Sequence, residues 1–432
     1  MSGAPHGVVR VAVVGLGWAA KSIWLPRLRE HPGFAVSALV DPDRAALAAA
    51  VHDRTGTLLL TDVDELTPDV ADLAVVAVPN HLHAAIACRL LVNGVPVFLE
   101  KPVCLNSEEA EQLAAAETGG GSLLLAGSAA RYRADVLALR ELVANLGHIR
   151  HVDLSWVRAR GIPDAGGWFT QRQYAGGGAL VDLGWHLLDT VTPLLGDVRG
   201  DITFDQALGT VSDDFVRSSV ARASWREEQS LHAYDDDSAG DVEDTARGFL
   251  VTDTGVSVGL RASWASHEPR DVTVIRVDGS EGTATLRCTF GFSPNRVESA
   301  ELTLTKDGVV TQVPFPVEPI GAEYMRQLDE LPALLAAPES RGRAVRETRR
   351  TIAVIERIYE TARAARATRT ARAAAGRRAT AAPGPLASAP AAPAAAATSD
   401  EPAVAVRIAS PVRVDGADVS TNGRAIPAPT HR

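Results

Sequence analysis

Val8-Val9-Arg10-Val11-Ala12-Val13-Val14-Gly15-Leu16-Gly17-Trp18-Ala19-Ala20 is a β-branched run that stops at a glycine and then turns helical in composition. A near-continuous apolar run of this length reads as a strand buried on both faces, the kind found in parallel sheets. Two glycines at its end permit a tight turn and a close approach of backbone to ligand. A pyrophosphate can then rest on the N-terminus of the helix that follows. The third glycine of such a fingerprint is Ala20 here, a variant the fingerprint permits. Gly15, Leu16, Gly17 and Trp18 are therefore candidate dinucleotide-binding residues.

The same alternation continues outward. Helix is expected over 19–30 with a kink at Pro26, strand over 36–40 closing at Asp41, and helix over 44–53. Strand follows over 73–78, helix over 83–93 capped by Gly94, and strand over 95–99 stopped at Pro102. Ser107-Glu108-Glu109 opens a helix over 107–117, with Ser107 as its cap, and 123–126 is a further strand. Strands alternating with helices predict an α/β architecture, a doubly wound parallel sheet over residues 1–126. From Gly127 the pattern changes. A helix over 133–145 precedes longer alternating segments at 151–157, 256–264, 272–277, 283–288 and 302–313, with Lys306-Asp307-Gly308 as a hairpin turn. These predict an α/β second domain over 127–365, with an open, mostly antiparallel sheet and closing helices at 322–335 and 345–364. Residues 224–244, with Asp235-Asp236-Asp237, read as an acidic surface insertion. Tyr359 is the last aromatic residue, and residues 381–400 contain ten Ala and four Pro, so 366–432 is expected to be a disordered Ala/Pro-rich tail.

Composition bounds what such a chain can do. Its 432 residues exceed one ordinary core, and 46% hydrophobic with 22% charged residues is a globular balance. No apolar run approaches the roughly 20 residues of a membrane-spanning helix, and the first apolar stretch, interrupted by Arg10, does not read as a signal peptide. Cys88, Cys104 and Cys288 fit neither a disulfide framework nor a zinc spacing, so a cytoplasmic setting is expected. The net charge of −10 argues against nucleic acid. The charge is uneven: from Arg366 onward nine Arg face four acidic residues, which leaves the body the more acidic. Lys21, Lys101 and Lys306 are the only lysines, and Lys and Arg are not interchangeable chemically.

Asp41 ends the second strand, 26 residues after Gly15, placed to accept from a ribose 2′-hydroxyl. An acid there favours NAD over NADP, although Arg44 is near enough to leave NADP open. Pro79-Asn80-His81-Leu82-His83 follows a strand end, where ligands of such sheets bind, so Pro79, Asn80 and His83 are expected to face the cofactor. Two histidines without a further His, Cys or Asp cluster predict no metal. Glu100 and Lys101 stand before Pro102 at the next strand end, at the mouth of the same site, and are expected at the cofactor as well. Gly176-Gly177-Gly178-Ala179-Leu180-Val181-Asp182-Leu183-Gly184-Trp185-His186-Leu187-Leu188-Asp189 then carries an acid and a histidine at i, i+4, one helix face.

These motifs, in this order and spacing, together with Val242-Glu243-Asp244-Thr245-Ala246 before a strand ending at Ser263-Trp264, resemble the glucose–fructose oxidoreductase / inositol dehydrogenase / rhizopine catabolism (Gfo/Idh/MocA) oxidoreductases. The likeness covers residues 8–365. It implies a Rossmann domain for NAD or NADP, a second α/β domain whose open sheet mediates homodimers or homotetramers, and sugar or cyclitol substrates. It places the family's catalytic lysine on Lys101, the substrate-orienting acid on Asp182 and the acid/base histidine on His186. The chemistry agrees with that mapping: a neutral imidazole takes the carbinol proton, a neighbouring ammonium stabilises the alkoxide, and a carboxylate holds an adjacent hydroxyl. The expected function is hydride transfer between nicotinamide and a secondary alcohol or ketone of a polyol. An amino sugar or aminocyclitol of antibiotic biosynthesis is one candidate, on the argument that the acid of 235–244 attracts a cation. An NAD-dependent glycosidase and a non-catalytic dinucleotide sensor are the alternatives.

Overall fold

The computed structural model describes residues 7–380 apart from 52–55, 164–166, 196–201, 217, 219–220 and 224–239. The opening valine run forms β1 (Val9–Val14), with Val11, Ala12, Val13 and Val14 buried as a strand covered on both faces demands. The chain then winds a wide π turn over Ala20–Trp24, where the Leu25 N–H donates to the Ala20 carbonyl, before α1 (Leu25–Glu30). The bend expected at Pro26 is this wide turn immediately before it.

β2 (Phe34–Val40), α2 (Arg44–Ala50), β3 (Leu58–Leu60), β4 (Leu73–Val76), α3 (His83–Val92), β5 (Val97–Leu99), α4 (Ser107–Gly120) and β6 (Leu124–Ala126) complete the first layer. The strands pair in the order β3-β2-β1-β4-β5-β6, all parallel. Chain order reverses across β1 and β4, so the crevice beyond their C-terminal ends is where a ligand belongs. α4 corrects an expectation. Its cap is Asn106, whose side-chain oxygen accepts from the Glu109 N–H at 2.8 Å, while Glu109 reaches back to the Leu105 N–H. Asn106 is extended and Ser107 already helical, so the amide satisfies the orphan donor that the hydroxyl would have met.

The second layer contains α5 (Ala134–Val143), β7 (Ile149–Val157), α6 (Arg172–Ala175), a π turn over Leu180–Gly184, α7 (Trp185–Leu195), and strands β8 (Phe204–Ser212), β9 (Thr245–Thr252), β10 (Ser257–Ser263), β11 (Val272–Gly279), β12 (Thr283–Cys288), β13 (Glu301–Lys306) and β14 (Val309–Gln312). α8 (Ala322–Ala336) and α9 (Arg343–Thr380) close the chain. The eight strands run β14-β13-β12-β11-β7-β10-β9-β8, antiparallel except for the parallel β7–β10 pair. Asp307 (φ 53°) and Gly308 (φ 77°) make the expected hairpin between β13 and β14. Val152, Leu154, Val258, Leu260, Ile275 and Leu286 point into the core from one face of this sheet, while Arg150, Asp153, Arg247 and Arg276 are exposed.

Two expectations need correction. α9 continues to Thr380, so the stretch 366–380 is helical and not the start of an irregular tail. Ala and Arg dominate it, and both favour helix whether or not there is a core to pack against. Residues 381–432 lie outside the described residues, as does 224–239 of the acidic insertion. Glu243 and Asp244 are not surface acids: they are 3% and 0% exposed. Asp244 accepts from the backbone N–H of Phe215 and Val216 and from the Thr245 hydroxyl, because a buried carboxylate must be satisfied by donors.

Candidate active site

The turn after β1 has the geometry of a dinucleotide cradle. Gly15 has φ +84°, and a Cβ there would stand 2.6 Å from Val78 Cγ1, so only glycine fits. Gly17 faces open space: nothing lies within 4 Å of where its Cβ would be, which leaves room for a ligand against the backbone. Asp41 Oδ2 accepts from the Leu16 N–H at 2.8 Å, and Oδ1 from the Asp43 N–H at 2.9 Å. The acid expected at the ribose thus stands beside the glycine turn, with exposed Arg44 starting α2 close by. Trp18 packs edge-on against Phe292 at 5.8 Å. These residues fit a nicotinamide dinucleotide.

Of the other residues expected at the cofactor, three serve the framework. Asn80 follows Pro79 but is buried, and its Nδ2 donates to the Ala175 carbonyl at 3.1 Å. His83 is buried with its ring nitrogens on the carbonyls of Pro102 (2.7 Å) and Val78 (2.8 Å), tying the two strand-end loops together. Burial is the largest influence on it and pushes its pKa down. Glu100 accepts from Trp24 Nε1 at 2.7 Å and from the Lys101 N–H at 2.9 Å, and burial raises its pKa. Glu100 thereby fixes the backbone from which Lys101 projects.

Lys101, Asp182 and His186 come together. Lys101 Nζ donates to Asp182 Oδ1 at 2.6 Å, although the two are 81 residues apart in sequence. Asp182 Oδ2 accepts from Trp264 Nε1 at 2.9 Å. Burial would raise the Asp182 pKa, but the Lys101 ammonium and Arg158 guanidinium outweigh it and hold the carboxyl well below the usual carboxylate range. His186 lies against Trp156, ring centroids 5.6 Å apart. Burial and the charges of Lys101 and Arg158 push its pKa down to about 3, against the opposing pull of Asp182, so the imidazole is neutral near pH 7. Asp189, one turn beyond, belongs elsewhere: Arg131 holds it at 2.5 Å and also reaches Glu347 at 2.6 Å.

Sequence reading had no role for Trp264, Trp156 and Arg158. Trp264 was visible as the aromatic ending a strand, but its contact with Asp182 depends on two distant segments meeting. Arg158 sits with its guanidinium 5.1 Å from the Trp156 ring, a contact that no local pattern encodes.

Residues 9–128 match the family described as an oxidoreductase family with an NAD-binding Rossmann fold, and residues 136–285 match the Gfo/Idh/MocA C-terminal domain. A protein of Amycolatopsis mediterranei described as "Putative UDP-kanosamine synthase oxidoreductase subunit" is 59% identical over 358 residues, which are 83% of this chain and 97% of that protein. The chain belongs to the Gfo/Idh/MocA oxidoreductase family. As a Gfo/Idh/MocA oxidoreductase it has an NAD-binding Rossmann domain and uses NAD or NADP. It is also similar to the D-glucoside 3-dehydrogenase of Escherichia coli, 26% identical over 59% of this chain and 72% of that protein. Among solved structures it resembles GenD2 from gentamicin A biosynthesis in complex with NAD, with a TM-score of 0.61, 25% identity, and coverage of 84% of this chain and 97% of that one.

Proposed function

We propose that this oxidoreductase oxidises the C3 carbinol of a uridine-diphosphate hexose to the ketone, with NAD as acceptor and Lys101, Asp182 and His186 as catalytic residues. The observation that carries the chemistry is the Lys101–Asp182 pair at 2.6 Å beside a neutral His186. The substrate class is supported by the similarity to a protein described as part of a UDP-kanosamine synthase and to a glucoside 3-dehydrogenase. An amino sugar is reached from its parent by oxidising a carbinol and then aminating the ketone, and an oxidoreductase subunit supplies the first step. A second protein, carrying the amination, is the partner this reading calls for. Self-association through the open face of the eight-stranded sheet, where Leu208 and Phe249 pair across β8 and β9 and are exposed, belongs to the same proposal. The three free cysteines suit a reducing cytoplasm.

Gly15, Leu16 and Gly17 would hold the dinucleotide by its pyrophosphate, and its nicotinamide would supply the hydride acceptor. His186, neutral at working pH, takes the hydroxyl proton, and charge developing on that oxygen strengthens its hold on the proton. The Lys101 ammonium stabilises the oxygen anion, and Asp182 keeps that ammonium aimed. Asp182 Oδ1 accepts from Lys101 and Oδ2 from Trp264, and each oxygen retains a lone pair for a neighbouring sugar hydroxyl, which selects the carbon presented. The expected preference for a cationic substrate is weakened, since Glu243 and Asp244 are buried away from solvent. The test is turnover with UDP-glucose, free glucose and an aminoglycoside under both cofactors. Turnover of UDP-glucose with NAD is expected, and activity on the free or aminated sugar alone would overturn the assignment.

A further inference from the structure

Gly178, Ala179 and Leu180 begin the helical stretch that carries both Asp182 and His186, and they do not cap themselves. Their amides converge on one residue from a distant segment. Glu243 Oε1 accepts from the Gly178 N–H and the Leu180 N–H, each at 3.0 Å, and its own carbonyl accepts from the Ala179 N–H at 3.0 Å. The same Oε1 takes a third bond from the Tyr359 hydroxyl of α9 at 2.7 Å. Arg172 lies 3.5 Å from Oε2 and packs over the Tyr359 ring. Gly178 has room for no side chain, because its Cβ would collide with the Glu243 carbonyl, and a Cβ on Gly177 would collide with the Tyr359 hydroxyl. The next residue extends the frame: the Asp244 carbonyl accepts from the Trp264 N–H at 2.8 Å, and the Trp264 indole holds Asp182 Oδ2. One buried dipeptide thus holds the start of the catalytic helix and the donor to its acid.

We propose that Glu243, clamped by Tyr359, is a positioning residue that sets the placement of Asp182 and His186 against Lys101. Glu243 touches no reacting atom; its action is through the helix start. Of the three amides of the first turn, two find their acceptor in the Glu243 side chain and the third in its main-chain carbonyl, so the side chain satisfies donors that would otherwise be buried without a partner. Loss of it frees the turn to shift, and displacement of a catalytic group by about 1 Å can cost ~100-fold in rate. Tyr359, the last aromatic residue of the chain, is part of the same clamp, so α9 contributes to the site without lining it.

This inference rests on the assignment of Asp182 and His186 above, and the experiment separates the two. Glu243→Ala, Glu243→Gln and Tyr359→Phe are compared with the unaltered protein for kcat, sugar KM, NADH binding by fluorescence, and the NMR titration of the His186 ring, identified by its loss in His186→Gln. Glu243→Ala is expected to lower kcat roughly 10- to 100-fold and raise sugar KM, with NADH binding unchanged, because a misplaced acid and histidine act at the sugar end only. Its His186 should titrate higher, as the ring moves out from burial and from the Lys101 charge. Glu243→Gln keeps an acceptor for both amides and should restore most of the rate, and Tyr359→Phe should move the same readouts to a smaller degree. A melting temperature lowered while KM and the His186 titration stay fixed would overturn the proposal, leaving Glu243 a structural cap. If Glu243→Ala does not fold, Tyr359→Phe decides by the same readouts. Absence of sugar turnover in the unaltered protein would count against the proposed function, and the His186 titration would still decide the clamp.

Discussion

Lys101 and Asp182 form the most consequential pair in the molecule, because each changes what the other and His186 can do. On the proposed mechanism, Lys101→Ala removes the cation that would stabilise the alkoxide, and His186→Ala removes the proton acceptor. Each is expected to lower kcat by at least ~100-fold while NADH still binds, measured by steady-state kinetics and fluorescence titration. The depressed His186 pKa also fixes a pH dependence. The unfolded chain takes up a proton at the ordinary value of 6.5, whereas the folded site resists until about 3, so folding loses stability as pH falls through that interval. Asp182, also held low, adds to the loss below its ordinary value of 3.8. Melting temperatures from pH 7 down to pH 4 should therefore fall, and the fall should be shallower in His186→Gln; identical slopes would remove His186 from the account. At the cofactor end, Asp41→Ser should shift binding toward NADP(H), since it removes the charge that repels a 2′-phosphate and leaves Arg44 free to meet it. Titration of both cofactors reads this directly.

Local periodicity was enough to recognise the elements that build the dinucleotide site. β1, β2, β4, β5 and β6 are apolar runs with clear stops, and their order alone predicts a parallel sheet. The elements missed have physical reasons. β3 is three leucines at a sheet edge, two of them nearly half exposed, too short to stand out from a loop. β8 carries Asp205, Gln206 and Gly209, and its outer face alternates too weakly to read as a strand. The acidity of 240–244 looked like solvation because charge in sequence says nothing about donors arriving from Gly178, Leu180 and Tyr359. The Asn106 cap was one residue from the position expected, and it is testable: Asn106→Ala should destabilise the fold by about 1 kcal/mol, the usual worth of a side-chain cap, by denaturant unfolding. Lys101, Asp182 and His186 were legible from motif order together with the family resemblance. Their mutual distances, and the place of Trp264 among them, arise only where the loop after β5, the π turn carrying Asp182 and the end of β10 meet in the folded chain.

At the scale of the molecule, the turn after a parallel strand forms the candidate cofactor cradle, the π turn and α7 carry the acid and the histidine, and Lys101 follows the end of β5. Arg131, following β6, braces this arrangement by gripping Asp189 on α7 and Glu347 on α9. Because the pair is buried, Arg131→Ala should cost more than a surface bridge, about 3 kcal/mol or more, by leaving Asp189 uncompensated. Residues beyond Thr380 contain no aromatic side chain, so a chain ending there should keep its melting temperature and activity. The central claim is that hydride leaves C3 of a nucleotide-linked hexose for NAD under the control of Lys101, Asp182 and His186. UDP-glucose carrying deuterium at C3 or, separately, at C4 is incubated with the protein and NAD, and the deuterium content of the NADH is read by mass spectrometry. The account predicts label in NADH from the C3 substrate alone, abolished in Lys101→Ala and His186→Ala; label from C4, or none from either sugar, would contradict it.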